Sequence, residues 1–184
     1  MNKLIFIFID GLGIGRHDPD INPAVSPEPV YLSYFLDFPD VPDPCLGIVI
    51  PTDASLGLPG LPQSATGQTT LLTGVNSATV FNRHLSGFPN QPLRDLIKSH
   101  SLFKKLIQIN KKGRFLNTFR PEFFALDEKN KWRMSATTLT NLAAGLPFFT
   151  LEDLKQRQSV YQDITNETLI KRGYNVPRFT PEQA

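Results

Sequence analysis

A continuous apolar run occupies residues 3 to 9 and is apolar on both faces of an extended chain. Strands buried in the middle of a parallel sheet have this pattern, because helices cover both of their faces. The run ends at Asp10 and Gly11, which predicts a strand followed by a turn. Ligands of open α/β sheets bind at the carboxyl ends of strands, so Asp10 is well placed for chemistry.

Proline dominates the next part of the chain, since residues 17–62 hold ten of the sixteen prolines. Proline removes a backbone donor and clashes inside a helix, which excludes long helices here. We predict an irregular excursion that contains a short helix near residues 31–36 and a strand at residues 46–50.

A different pattern begins at the hydroxyl-rich stretch LPQSATGQTTLLTG. Residues 64–73 contain apolar positions and no proline, which predicts a helix with Ser64 near its N-cap and Gly74 at its end. Residues 93–112 carry apolar side chains at helical spacing as far as Gly113, and predict a further helix.

A second buried strand is predicted at residues 114–119, and helix, glycine and strand in this order form half of a βαβ unit. Three more helices follow, in SATTLTNLAAGL, in TLEDLKQRQ with Thr150 as cap and Asp153 three residues later, and in TNETLIKRG with Thr165 as cap and Gly173 as stop. These elements predict an α/β fold, a mostly parallel sheet flanked by helices.

Composition narrows the class of protein. A chain of 184 residues suits one domain, and its 40% hydrophobic and 20% charged residues are ordinary globular values. One cysteine, Cys45, rules out an internal disulfide, is interpreted as a buried structural thiol, and fits the cytoplasm. No apolar run is long enough for a membrane span or a signal peptide, so we expect no membrane partner.

Charge is distributed unevenly along the chain. Residues 1–93 carry three basic and eight acidic side chains, whereas residues 94–184 carry sixteen and nine. A basic half can indicate nucleic-acid binding. However, four of its lysines, at positions 104, 105, 111 and 112, alternate with apolar residues as on a solvated helix face. We therefore expect no nucleic-acid partner.

Two nucleotide-binding motifs are excluded by their context. The glycines of IDGLGIG would need a helix directly after them to bind a pyrophosphate, and Pro19 and Pro23 prevent one. GLPQSATGQTT has the wrong glycine spacing for a phosphate-binding P-loop, and Gln68 replaces its lysine.

Asp10 and Ser64 each have two interpretations. Asp10 is either a hard ligand for a divalent metal or an ordinary turn residue before glycine. Ser64 is either an N-cap or a nucleophile, since a helix N-terminus offers N–H groups that can hold a phosphate and a nearby cation would lower its hydroxyl pKa.

The combination of both segments resembles a known superfamily. A buried strand that ends in Asp-Gly, followed by Ser-x-x-G-x-x-x-L-x-T-G, is similar to the N-terminal part of the alkaline phosphatase superfamily. The similarity is to its metalloenzyme branch, with cofactor-independent phosphoglycerate mutase and phosphopentomutase. GLPQSATGQT, NRHLSGFPN and LRDLIKSHSLFKKL occur in the expected order, and the resemblance covers most of residues 4–172.

This resemblance implies an incomplete alkaline-phosphatase-like core in a single domain, residues 1–184. It implies that Asp10 binds metal and that Ser64 is both nucleophile and metal ligand, with two Mn²⁺ or Zn²⁺ ions in the complete site. Arg83 and His84 would hold the phosphate of a small phosphorylated metabolite, or else lie on a surface loop. Minor roles in shaping the site fall to Gln68, Thr69 and Asn76.

Most of the metal ligands of that superfamily have no counterpart here. The chain has three histidines, His17, His84 and His100, and no Asp-x-x-x-His. Two ligands do not enclose a transition metal. We therefore expect a metal-dependent phosphomutase or phosphohydrolase whose chain is partial. The alternative is a non-catalytic, degenerate domain that needs a partner chain.

Overall fold

The computed structural model describes residues 3–25, 35–37 and 50–183. The chain divides into two compact units, Met1–Ala54 and Ser55–Ala184. Cys45, most of the short helix predicted near residues 31–36 and most of the strand predicted at residues 46–50 lie outside the described residues.

The described part of the first unit contains no helix, and most of it consists of turns and chain without regular secondary structure. The Leu12 N–H donates to the Ile9 carbonyl at 3.4 Å and closes the turn that the sequence predicts at Asp10 and Gly11. Gly11 has a φ of 77°, a conformation that glycine adopts without the steric cost of a side chain.

A second group of contacts in this unit joins residues 15–17 to residues 35–37. The Leu36 N–H donates to the Gly15 carbonyl at 2.9 Å, and the His17 N–H donates to Asp37 Oδ1 at 2.7 Å. The His17 ring packs edge-on against the buried Phe35 ring, with 4.8 Å between centroids. These contacts are made by an irregular chain, as the prolines predict.

The buried strand predicted at residues 3–9 is absent. These residues have no regular secondary structure and pair with no strand in the described chain, and residues 4–9 are 37–91% exposed. A strand makes its hydrogen bonds only with neighbouring strands, so an apolar run without such neighbours stays an exposed segment.

The second predicted strand, residues 114–119, is reduced to two isolated parallel bridges. Asn117 pairs with Val160, and Thr118 pairs with Phe149. The Thr118 N–H donates to the Val160 carbonyl and the Phe119 N–H to the Phe149 carbonyl, both at 2.8 Å. The predicted α/β fold with a mostly parallel sheet is therefore wrong, because the described residues form helices and coil but no sheet.

Nine helices lie in the described part of the second unit. In chain order they are α1 Ser64–Thr73, α2 Ser77–Phe81, α3 Gln91–His100, α4 Leu102–Gln108, α5 Pro121–Phe124, α6 Glu128–Lys131, α7 Ala136–Ala143, α8 Leu151–Lys155 and α9 Glu167–Lys171. Within the described ranges, none of these helices has the length and apolarity needed to cross a membrane.

The main core of this unit lies between α1, α3 and α7. Leu72, Ile97, Ala136 and Leu139 are buried together, and Trp132 and Met134 are among the partly buried side chains that pack against them. Burial of apolar side chains is the largest favourable contribution to folding, so these helices form the framework that positions the rest. A smaller cluster of Leu154, Tyr161 and Leu169 joins α8 to α9.

The single helix predicted at residues 93–112 is two helices, separated by Ser101. Ser101 is buried, and its Oγ donates to the Thr140 carbonyl of α7 at 2.8 Å. The same oxygen accepts from the Lys104 N–H at 3.4 Å and caps α4. A hydroxyl that makes both bonds ends one helix and starts the next, which apolar spacing does not reveal.

Two predicted helix caps have different outcomes. Thr150 and Asp153 form the predicted capping box of α8, in which each side chain accepts from the backbone N–H of the other. At α9 the cap is Asn166, with a φ of 66°, rather than Thr165. Asp163 accepts from the Asn166 and Thr168 N–H groups at 3.0 and 2.6 Å, which shifts the start of α9 by one residue.

Candidate functional site

Ser64 is the first residue of α1 and is half-buried. The N-cap is Gln63, whose backbone is extended and whose side chain makes no capping hydrogen bond. The Gly67 N–H donates to the Gln63 carbonyl at 2.9 Å and starts the helical hydrogen bonds. The predicted helix of residues 64–73 is thus confirmed, with Ser64 one position inside it.

The N-terminus of α1 is joined to the loop of residues 82–86. The Leu85 carbonyl accepts from the N–H groups of Ala65 and Thr66 at 3.0 and 3.4 Å. In return the Leu85 N–H donates to Thr66 Oγ1 at 3.3 Å. These two N–H groups, which the sequence interpretation offers to a phosphate, are bonded to protein instead.

Hydroxyl groups along α1 attach the helix to α2. Ser77 Oγ donates to the Thr66 carbonyl at 2.8 Å, and the Ser77 N–H donates to Thr70 Oγ1 at 3.0 Å. Near the end of the helix, Thr73 Oγ1 donates to the Thr69 carbonyl at 2.6 Å. The hydroxyl-rich composition of this stretch is therefore largely structural.

A wide cavity of about 510 Å³ lies beside the N-terminus of α1. Its lining combines polar side chains from the helix cap and the loop with residues 59–61: Pro59, Gly60, Leu61, Gln63, Asn82, Arg83, His84 and Ser86. The structure thus brings Arg83 and His84 to the end of the helix that begins with Ser64.

His84 has unsatisfied polar atoms. Both ring nitrogens are enclosed, and neither has a hydrogen-bond partner among the described residues. Every protonation state of imidazole has a donor, and leaving it unbonded inside a protein is unfavourable. Arg83 is exposed and makes no ion pair with a described carboxylate. The loop therefore presents a guanidinium and an imidazole that suit an oxyanion.

The residues with weaker expected roles divide into two kinds. Asn76 is structural, since its Oδ1 accepts from the Thr79 N–H at 3.1 Å and its Nδ2 donates to the Leu56 carbonyl at 2.9 Å. Gln68 is half-buried in α1. Thr69 is buried, and its Oγ1 has no partner among the described residues.

Asp10 belongs to the other compact unit, where it is exposed in the turn with Gly11. In the described ranges, no three side chains of His, Cys, Asp or Glu are grouped to hold a metal ion. A carboxylate and a hydroxyl fall short of the four ligands of a structural zinc site, or the three of a catalytic one. The described residues therefore do not by themselves fit the implied metal pair.

Sequence reasoning missed three polar residues of the cavity lining: Gln63, Asn82 and Ser86. The signal was present, because Gln63 precedes Ser64 directly and the other two flank Arg83 and His84. The contact between Leu85 and α1 carries no such signal, since it is made by a backbone carbonyl about twenty residues away in the chain.

Comparison with protein-family models, curated proteins and solved structures finds no match to this chain.

Proposed function

We propose that this chain carries the phosphoryl-accepting serine of a metal-dependent phosphomutase or phosphohydrolase. The observation that carries the proposal is the arrangement around α1, where Ser64 opens the helix and the Arg83–His84 loop is hydrogen-bonded to its first turn. Nucleophile and anion-binding groups on one rigid support are what phosphoryl transfer requires, because its catalysis is mainly positioning and charge stabilisation.

In the proposed step Ser64 Oγ forms a bond to the phosphorus of a phosphate monoester. The bond from phosphorus to the ester oxygen breaks, and the leaving oxygen keeps the electron pair. The proton of the Ser64 hydroxyl ends on that oxygen, so the products are phosphoserine and an alcohol. Water or a second hydroxyl then takes the phosphoryl group from Ser64.

Arg83 and His84 hold the phosphate in this proposal. The Arg83 guanidinium pairs with two of its oxygens, as the planar fork of arginine favours. The enclosed His84 nitrogens, which have no hydrogen-bond partner among the described residues, gain a phosphate oxygen as an acceptor. The substrate class is a small phosphorylated metabolite, and the proposal places the protein in the cytoplasm.

The resemblance implies divalent Mn²⁺ or Zn²⁺, to which Ser64 would offer one oxygen. The remaining ligands would have to come from a partner chain or from a further segment of polypeptide. A non-catalytic domain is the competing interpretation, and it predicts no stoichiometric metal on this chain.

The test is phosphoserine formation. Full-length protein is incubated with p-nitrophenyl phosphate and Mn²⁺, and peptide mass spectrometry locates any added phosphoryl group. We expect it on Ser64, and we expect none in Ser64→Ala. Ser99→Ala is the matched control, because Ser99 lies on the exposed side of α3. Absence of phosphoserine in the unaltered protein, or its equal formation in Ser64→Ala, would contradict the proposal.

A further inference from the structure

A second cavity of about 400 Å³ lies in the Ser55–Ala184 unit and shares no lining residue with the cavity beside α1. Its walls come from the segment around Phe119, from α5, from the N-cap region of α7 and from residues 161, 162 and 172. None of these residues takes part in the proposed phosphoryl transfer.

One wall of this cavity is aromatic. Phe115, Phe119, Phe123 and Tyr161 all line it. The Phe119 and Phe123 rings pack with centroids 4.3 Å apart, and the Phe115 ring meets Phe119 edge-on at 6.0 Å. Aromatic walls of this kind favour a flat ring, because offset and edge-to-face arrangements add to the gain from burying apolar area.

The cavity lining also carries positive charge. Arg120 and Arg172 line the cavity together with one acid, Glu122. Glu122 accepts a hydrogen bond from the Tyr174 hydroxyl, and Arg120 Nη1 lies 3.8 Å from the same carboxylate oxygen. The Tyr174 bond is the main cause that lowers the pKa of Glu122, so this carboxyl is ionised at neutral pH. The lining therefore has one positive charge in excess.

Several polar side chains of the lining make no hydrogen bond or close ion pair with another side chain in the described part of the chain. Thr118, Ser135, Thr137 and Thr138 use their hydroxyls in bonds to other hydroxyls. By contrast, the described chain offers no side-chain hydrogen bond or ion pair to the remaining polar groups: Asn117, Tyr161, Gln162 and Arg172. These groups leave the cavity with polar atoms to offer an occupant, the Tyr161 hydroxyl among them.

We propose that this cavity binds a small planar aromatic ring that carries an anionic group. The ring lies against Phe115 and Phe119, the anion faces Arg172, and the Tyr161 hydroxyl completes the polar contacts. The inference is independent of the chemistry at Ser64.

Titration calorimetry of the full chain tests this with phenylphosphonate, whose phosphorus–carbon bond resists transfer, and with benzoate as the carboxylate form. Methylphosphonate supplies the anion without the ring, and benzyl alcohol supplies the ring without the anion. We expect at least one aromatic anion to bind about tenfold or more tightly than both fragments, since a charged hydrogen bond alone contributes about that factor. Failure of both aromatic anions to bind, or equal binding of a fragment, would overturn the proposal.

Variants then locate the bound ligand. Arg172→Gln should weaken binding about tenfold, and Phe115→Leu roughly threefold to tenfold. Arg178→Gln is the matched control, because Arg178 is exposed and outside the cavity lining. Arg172 is also exposed, so thermal unfolding should show its variant folded. Unchanged affinity in Arg172→Gln, or a loss in Arg83→Gln instead, would refute this location.

Discussion

The apolar run at residues 4–9 and the apolar face of α3 are built from similar side chains but differ in exposure. Leu4 and Ile7 are 91% and 77% exposed, whereas Leu93 and Ile97 are completely buried. A helix satisfies its backbone hydrogen bonds internally and needs only one apolar surface to pack against. A strand needs other strands before its apolar side chains are covered. Apolar character alone therefore does not decide which segments enter a core.

The largest loss of unfolding free energy is expected for a substitution in the main core. Leu139 on α7 is completely buried in the cluster with Leu72 and Ile97. Leu139→Ala should lower the free energy of unfolding by about 2–5 kcal/mol, because it removes apolar contacts and leaves a cavity. Urea unfolding followed by circular dichroism measures it. A loss below about 1 kcal/mol would show that α1, α3 and α7 do not form the stabilising framework.

A smaller loss of stability is expected for a substitution of Ser101, between α3 and α4. Ser101→Ala removes the hydrogen bond to the Thr140 carbonyl and the cap of Lys104, and should cost about 1–2 kcal/mol. Thermal unfolding measures the loss. Ser99→Ala, at an exposed serine two residues earlier, is the control and should change little. Equal effects of both substitutions would mean that the buried hydroxyl does not hold the two helices to α7.

Low pH should remove the stabilisation that the Asp163 carboxylate gives to the N-terminus of α9. Burial raises the pKa of Asp163, but hydrogen bonds from Thr168 and Asn166 outweigh it, and the net pKa is lowered. A carboxyl with a lowered folded pKa stabilises the fold fully above its unfolded pKa of about 4, and this contribution is lost as the pH falls through the folded value.

Unfolding free energies measured from pH 7 down to pH 2 test this effect. The slope below about pH 4 should be smaller in Asp163→Asn than in the unaltered chain. An unchanged slope in Asp163→Asn would contradict the assignment.

The smallest effect is expected in the exposed apolar run. Ile7→Ser should change the free energy of unfolding by less than about 0.5 kcal/mol, as for other exposed positions. The same urea experiment used for Leu139 measures it. A loss above about 2 kcal/mol would mean that Ile7 is packed, in favour of the strand that the sequence predicts.

What the sequence predicts well is local. The helix of residues 64–73, its end at Gly74 and the capping box of Thr150 and Asp153 all depend on groups a few residues apart. The strands predicted at residues 3–9 and 114–119 are wrong because a strand depends on partners distant in the sequence. Asn166 displaced Thr165 as a cap because Asp163 bonds to the following N–H groups, a local contact that the capping pattern does not include.

The candidate site, like the fold, is predicted from the sequence only in part. Residue types and their resemblance to a known superfamily pointed to Ser64, Arg83 and His84, and the structure brings the loop of the latter two to the end of α1. Asp10 lies in the other unit, and its predicted metal role stays a prediction. The second cavity was not predicted, because its aromatic and cationic residues come from segments with no common motif.

The bond between Leu85 and α1 also makes the helix an internal reporter. Two amide protons, those of Ala65 and Thr66, point at one carbonyl in the middle of the loop that carries Arg83 and His84. A displacement of that loop away from α1 would lengthen both bonds together. The paired chemical shifts of these amides in a nitrogen-edited NMR spectrum should therefore follow occupancy of the neighbouring cavity, without a label or a probe attached to the protein.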